Sequence, residues 1–257
     1  MVDSVFKLAQ ISDMHLQDDP NGLQRGVNPE KRFLDVLAKT VEQSPDLLLL
    51  TGDLSHHSSA AYERLVCYLS ELPFPCLWIP GNHDLVGDMA ALASYGFGQK
   101  VYETPSWKFI LLDSTANPDG KGSGALSEPE LDFLQTELAE VSAEQSVLLV
   151  LHHNPVSVNS AWQDEIMLSN ADQFWSLVDT CEQVKAVLFG HVHQAWEIPR
   201  KQVKLFSAPS TAAQFKRCTS QPEPETAPDL SGPGFMLYTL SAQGGVQAKV
   251  HRLEVSN

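Results

Sequence analysis

The sequence predicts an α/β fold, on three observations. Short apolar runs fit for buried strands alternate with stretches of helical periodicity through the first 190 residues. Those runs end abruptly in Asp, Asn and His, and a loop at the carboxyl end of a strand is where α/β proteins place their chemistry. Beyond about residue 195 the helical pattern stops and strand-like segments alone remain. With no internal repeat and no linker-like stretch, residues 1–257 are expected to form a single domain, with an antiparallel strand-rich C-terminal part from about 195.

The elements follow in order. Val5 to Ile11 is strand-like and stops at Ser12-Asp13-Met14-His15. After a polar loop, Asn28 caps a helix with Pro29 at its first position, and Phe33, Val36, Leu37, Thr40 and Val41 fall on one face before Pro45. Leu47 to Leu50 suits a strand buried on both faces and ends at Thr51-Gly52-Asp53. Residues 59 to 71 are helical, with Ala61, Tyr62, Leu65, Val66 and Leu69 as the apolar stripe. Cys76 to Ile79 is a strand leading through Pro80 to Gly81-Asn82-His83-Asp84. Trp107 to Leu112 is a fourth strand, and Ser127-Glu128-Pro129-Glu130 is a capping box before a helix carrying Leu131, Leu134, Leu138 and Val141. Val147 to Leu151 ends at His152-His153-Asn154-Pro155. A helix from about Asn170 to Glu182 should bury Phe174, Leu177, Val178 and Cys181. Val184 to Phe189 ends at Gly190-His191-Val192-His193. The remaining strands are Trp196 to Ile198, Val203 to Ser207, Phe235 to Leu240 and Val246 to Leu253, with Ser220 to Pro233 a surface loop.

The bulk numbers narrow the class. A net charge of −15 argues against a nucleic-acid polymer or an anionic membrane as partner. A small anion is still admissible, because repulsion is screened within roughly 8 Å at physiological salt. No apolar run is long enough to cross a membrane, and Met1-Val2-Asp3-Ser4 has no signal-peptide character, so a cytoplasmic location is expected. Cys67, Cys76, Cys181 and Cys218 form no C-x-x-C pair. Cys67 and Cys181 sit in helical stretches and read as buried free thiols.

Five strands therefore end in Asp13-x-His15, Gly52-Asp53, Gly81-Asn82-His83-Asp84, His152-His153 and Gly190-His191-x-His193. Each block alone is ordinary: Asp53 could be a turn residue, Asn82 likewise, and a histidine pair could be one buried and one solvated ring. Alternation would send His191 and His193 to the same side of an extended chain. Taken together, the blocks point to metal. Mixed Asp, Asn and His ligands suit divalent Mn, Fe or Zn and neither a thiolate site nor an all-oxygen calcium site. Seven good ligands exceed the need of one ion with an open position, and two ions would share one carboxylate. Two ions about 3.5–4 Å apart clamp the attacking and leaving oxygens of a displacement at phosphorus.

In this order the blocks resemble the calcineurin-like metallophosphoesterase superfamily, whose signature is D-x-H, G-D, G-N-H-D or G-N-H-E, a later His, and G-H-x-H. The resemblance implies a four-layer α/β/β/α sandwich of two mixed sheets with the metals at the strand ends. It implies that Asp13, His15 and His193 hold the first metal, that Asn82, His152 and His191 hold the second, and that Asp53 bridges them. His152 is chosen over His153 because relatives often read H-x-P-P there, although Asn154 stands in place of the first proline. His83 would be the catalytic acid protonating the leaving alkoxide, and Asp84 a loop-fixing residue. Substrate would meet His15, Asp53, Asn82, His83 and His193. Iron and manganese are the expected metals, with zinc admissible.

The sequence is more closely similar to the bacterial class III 3′,5′-cyclic-AMP phosphodiesterases. The likeness runs through Ile11 to Leu16, Thr51 to Ser55, Ile79 to Asp84 and Gly190 to Gln194. It extends to Gly26-Val27-Asn28, Pro209-Ser210-Thr211 and Val250 to Leu253. That implies attack of a metal-held hydroxide on a cyclic nucleotide, expelling the ribose 3′ oxygen and giving 5′-AMP. A broader phosphodiesterase of the same fold, acting on glycerophosphodiesters, 2′,3′-cyclic nucleotides or nucleoside diphosphate derivatives, is the alternative. A non-catalytic, metal-stabilised interaction protein is a third, opposed by the intact ligand set. His56, His57, Arg25 and Phe215 could touch substrate, but a solvated loop accounts for the histidines at least as well, a buried aromatic is the better reading of Phe215, and none is counted a site residue.

Overall fold

The computed structural model describes residues 5–254, so Met1 to Ser4, read above for leader features, lies outside the described residues. Seventeen named elements run along the chain. They are β1 (Phe6–Ile11), α1 (Pro29–Glu42), β2 (Leu47–Thr51), α2 (Ser59–Ser70), β3 (Cys76–Ile79), α3 (Val86–Ala91), β4 (Val101–Glu103), β5 (Trp107–Leu111), α4 (Glu128–Ala139), β6 (Ser146–Val150), α5 (Ala161–Asp164), α6 (Ala171–Val178), β7 (Val184–Phe189), β8 (Trp196–Arg200), β9 (Val203–Ser207), β10 (Gly234–Leu240) and β11 (Val246–Arg252). One sheet has the order β11-β10-β1-β2-β3 and the other β4-β5-β6-β7-β9-β8. Both are mixed. β1, β2 and β3 are parallel, as are β5, β6, β7 and β9, while β10, β11, β4 and β8 pair antiparallel.

The leucine run of β2 shows how the layers arise. Leu47 and Leu49 point inward, where they meet Phe109, Leu148, Leu188, Phe206 and Tyr238 between the two sheets. Leu48 and Leu50 point outward and pack with Phe33 and Val36 of α1 and Leu65 of α2. On the far side, Val147 and Leu149 of β6 pack under Leu131 and Leu134 of α4 and Phe174 and Val178 of α6. Strand alternation thus feeds three apolar layers at once, and the result is a four-layer α/β/β/α sandwich.

Local chemistry fixes the helix starts. The Asn28 side chain accepts from Lys31 N at 2.8 Å, and the Ser127 side chain caps α4 through Glu130 N. The apolar stripe of α2 is the one periodicity gives: Ala61, Tyr62, Leu65, Val66 and Leu69.

Several expectations need correction. Cys67 is exposed, because it falls between the stripe positions of α2, whereas Cys181 is buried just past the end of α6. α6 ends at Val178 and buries Trp175 where Leu177 was expected. Among the C-terminal strands read as antiparallel, β9 joins β7 in parallel, while β10 and β11 extend the first sheet antiparallel from β1, so the last quarter of the chain completes both sheets. The short elements α3, α5 and β4 had no sequence signal, being too brief to show a period.

Candidate metal centre

The parallel strands β1, β2, β3, β6 and β7 end on one edge of the sandwich, and the five blocks gather there. The strand ends are zipped beyond the sheets. Asp13 N donates to Gly52 O at 3.1 Å, His15 N to Asp53 O at 2.8 Å, and Gly190 N to His152 O at 3.0 Å. Below them, Gln10 joins the two sheets. Its Nε2 donates to Thr51 Oγ1 and to Phe189 O, both at 2.9 Å, and Tyr238 OH donates to its Oε1 at 2.6 Å.

Backbone geometry sets the loops apart. Asp13, His15, Asp53, His191 and His193 all have φ between 49° and 70°, the left-handed region that non-glycine residues avoid. Strain of this kind, held by surrounding hydrogen bonds, concentrates at functional sites. The glycines of the motifs serve close approach. A Cβ on Gly81 would collide with Asp53, and one on Gly190 with Ser12 Oγ and, at 2.7 Å, with Thr51 O. His191 and His193 do not alternate along an extended strand as expected. Val192 N donates to Gly190 O at 2.8 Å, a tight turn that sends the two rings to different clusters.

Two clusters of buried side chains could each hold a metal ion. Asp13, His15, Asp53 and His193 form one; Asp53, His152 and His191 form the other, and Asp53 belongs to both. Asn82 joins the second, with its Oδ1 3.1 Å from His152 Nε2. His15 Nε2 lies 3.0 Å from His193 Nε2 and 3.6 Å from Asp53 Oδ2. His152 Nε2 lies 3.5 Å from Asp53 Oδ1 and 3.3 Å from His191 Nδ1.

The donor chemistry fits cations. Three of the histidines spend one nitrogen on a main-chain carbonyl. His152 Nδ1 donates to Thr51 O at 2.9 Å, His193 Nδ1 to Ala213 O at 2.7 Å, and His191 Nε2 to Ile166 O at 3.1 Å. That leaves the other nitrogen of each ring as a lone pair turned toward the cluster, the arrangement of a metal-binding imidazole. Asp13 Oδ2 and His15 Nδ1 are buried without any hydrogen-bond partner, a cost rarely left standing in a protein interior.

Charge says the same. Burial drives His15 and His191 well below the ordinary imidazole range, so they are neutral. Burial opposes charge on His152 as well, but Asp53 and then Asp13 overcome it and carry its pKa up to about 9. Asp53 is held well below the usual carboxylate range, against its burial, by His152, His15 and His83. The two buried carboxylates thus draw positive charge into the clusters, whether it sits on His152 or on a cation.

His83 and His153 border the clusters in different ways, and His83 also makes a third, less buried group with His15 and His56 that could hold an ion. His83 N donates to Asp53 Oδ1 at 2.9 Å, and its ring stacks on His56 at 4.6 Å and meets His57 Nε2 through Nδ1 at 3.2 Å. Burial lowers its pKa to about 4. His153 is fully buried with its ring 4.8 Å from that of His191 and 5.1 Å from that of His152, but both of its nitrogens are engaged elsewhere. Ser114 Oγ lies 2.8 Å from its Nδ1, and its Nε2 donates to Gly122 O at 3.1 Å, which pins the 114–124 loop. Asp84 accepts from Leu54 N, Ser55 N, Gly81 N and the Tyr62 hydroxyl, and so braces the Asn82 loop against the Asp53 loop.

Sequence reasoning missed the carbonyls of Thr51, Ile166 and Ala213, which set the histidine tautomers; main-chain atoms leave no residue-type signal. It also missed Gln194, whose Nε2 donates to Phe215 O at 3.2 Å and Lys216 O at 2.9 Å and so ties the last motif to the 213–216 segment.

Comparisons with known proteins agree with this geometry. The chain is 37% identical over 256 residues to a 3′,5′-cyclic-nucleotide phosphodiesterase of Nostoc sp., covering 98% of this chain and 94% of that one. It is 36% identical to the 3′,5′-cyclic adenosine monophosphate phosphodiesterase CpdA of Vibrio vulnificus, covering 96% and 90%. A dimetal phosphatase from Danio rerio shares the fold at a TM-score of 0.69 and 14% identity, covering 97% of this chain and 99% of that one. Residues 6–195 match the calcineurin-like phosphoesterase family, and the chain belongs to that family.

Proposed function

We propose that this protein is a phosphodiesterase with a two-metal centre that hydrolyses 3′,5′-cyclic AMP to 5′-AMP. The reading rests on one observation above the rest: a single buried carboxylate, Asp53, is shared by two clusters of buried metal-binding side chains at the edge of a fold otherwise closed around apolar layers. The near full-length similarity to enzymes named for cyclic-nucleotide hydrolysis supports the substrate.

In this reading Asp13, His15, Asp53 and His193 hold one divalent cation, and Asp53, Asn82, His152 and His191 hold the other. Iron or manganese is the native pair, with zinc accepted by the same ligands. The cations, when bound, supply Lewis-acid charge and bring the pKa of water to about 7. The protein's own part is orientation and proton transfer. The loops hold the ligands in one strained geometry before substrate arrives. His83, fixed through its main chain to Asp53, gives its proton to the ribose 3′ oxygen as the P–O bond breaks, once the anionic phosphate beside it offsets the burial that lowers its pKa. His153 takes no part in ligation and supports the loop that carries Gly122.

A substrate panel on metal-analysed protein tests this. The expected result is about two divalent ions per chain and turnover of 3′,5′-cyclic AMP well above 2′,3′-cyclic AMP. Activity on bis(p-nitrophenyl) phosphate with none on 3′,5′-cyclic AMP would replace the substrate assignment with the broader phosphodiesterase. Metal-loaded protein inert on both would leave an interaction protein.

A further inference from the structure

A cavity of about 200 Å³ lies over the clusters and takes in Arg25, Lys121, Trp162 and Phe215 alongside the candidate ligands. We propose that Arg25, Phe215 and Trp162 form a nucleobase subsite in this cavity, and that Lys121 meets the phosphate. The proposal rests on the nucleotide reading above.

The pattern of cation pairing separates Arg25 and Lys121 from nearly all the other basic residues. Among the described residues, Arg25, Lys121 and Lys249 are the only lysines and arginines with no carboxylate or carbonyl partner at hydrogen-bonding or ion-pair distance; the rest are tied, as Arg64 is to Glu30 and Arg200 to Asp179. In a chain of net charge −15, partners are abundant. Two of the three line this one cavity. Lys121 also lines the adjoining cavity together with Asn82 and His83, on the side of the reacting groups.

Arg25 is presented rather than loose. Its backbone is left-handed, with φ 49°, inside a turn closed by Gln24 N to Val27 O at 2.9 Å and Val27 N to Gln24 O at 3.0 Å. Its guanidinium sits 5.0 Å from the centroid of the Phe215 ring. That ring is fixed relative to the metal centre, because it lies 5.0 Å from the His193 ring and its carbonyl is held by Gln194. Trp162 meets Phe215 edge-on at 5.0 Å, and its indole N–H is spent on Thr219 Oγ1 at 3.2 Å, so it offers the cavity an apolar surface. An aromatic pair with an unpaired planar cation suits a flat, electron-rich ring that carries hydrogen-bond acceptors. The guanidinium stacks on its face and donates from its edge, as lysine cannot.

The test separates base from phosphate. Calorimetry on the metal-loaded full chain would compare adenosine, which has no phosphate, with inorganic phosphate, which has no base. R25A is expected to weaken adenosine binding by about tenfold or more and to leave phosphate binding within about twofold, with little rescue by R25K. K121A is expected to do the reverse. In kinetics, R25A should raise KM for 3′,5′-cyclic AMP more than it lowers kcat. Unchanged adenosine binding in R25A, an equal loss of phosphate binding, or no adenosine binding by wild-type protein would overturn the subsite. Wild-type protein that binds adenosine through Arg25 yet does not hydrolyse 3′,5′-cyclic AMP would uphold the subsite and sink the reading it rests on.

Discussion

Neighbouring residues in the Asn82 loop carry different burdens. Asn82 is tied to the second cluster through its side-chain oxygen, whereas His83 meets the site through its backbone N–H on Asp53 and through a ring that stacks on His56 and packs edge-on against His15 at 5.0 Å. Asn82→Ala is therefore expected to lose metal and activity together. His83→Ala should keep both ions and lose about 10²–10⁴ in kcat. Metal analysis beside kinetics distinguishes them, and loss of metal in His83→Ala would remove the proton-donor role. The thiols give a second check at this scale. Burial pushes the Cys76 thiol up to about 12, and Cys181 is buried too, while Cys67 and Cys218 are exposed. A thiol reagent at pH 8 should modify two cysteines quickly in the native protein and the other two only on unfolding. Peptide mapping that found Cys76 among the fast pair would contradict the packing of β3. Most candidate ligands were legible at this scale because residue type and position carry the chemistry. Their division between two ions came from the family resemblance alone, since residue type shows neither the turn at Val192 nor the main-chain carbonyls on which that division depends.

At the scale of elements, strand and helix faces followed from period, as the alternating leucines of β2 and the stripe of α2 show. Pairing did not follow, because β9 and β10 read alike as short apolar runs yet join different sheets. The end of α6 offers a prediction of how elements are joined. Asp179 receives Arg200 at 2.6 and 3.1 Å and Lys201 at 2.6 Å, linking α6 to the β8–β9 hairpin. Hydrogen bonds from Arg200, outweighing the opposing effect of burial, lower its pKa to about 2. A carboxylate depressed in the folded state stabilises above its unfolded pKa of about 3.9 and loses that contribution as pH falls through the folded value. Asp179→Asn should cost about 1 kcal/mol near pH 7, solvent screening keeping it small. Thermal melts of the two proteins should converge between about pH 4 and pH 2. A difference that persists at pH 2 would assign the loss to packing.

For the whole molecule, the site is also a joint between sheets. Asp13, His15, Asp53 and Asn82 come from β1, β2 and β3 in one sheet, while His152, His191 and His193 come from β6 and β7 in the other. Beneath them, Gln10 links the sheets through Thr51, Phe189 and Tyr238, and the His152 ring donates to Thr51 O across the same gap. Ions bound at the edge would therefore tie the sheets together where the apolar layer gives way to charge. Ligand that binds only the folded state stabilises it by about 4 kcal/mol at a thousandfold excess over Kd. A chelator should thus lower Tm by several degrees, and re-adding manganese should restore it in proportion to the logarithm of its concentration. Asp53→Asn should abolish that dependence, because it removes the one carboxylate common to both clusters. Tyr238→Phe strands the Gln10 oxygen and should cost about 1–3 kcal/mol whether or not metal is present. Its effect should add to that of the chelator if the two links act independently. A Tm that chelation leaves unmoved would mean that the sheets are held by their apolar layer alone, and that the strained strand-end loops need no ion to keep their shape.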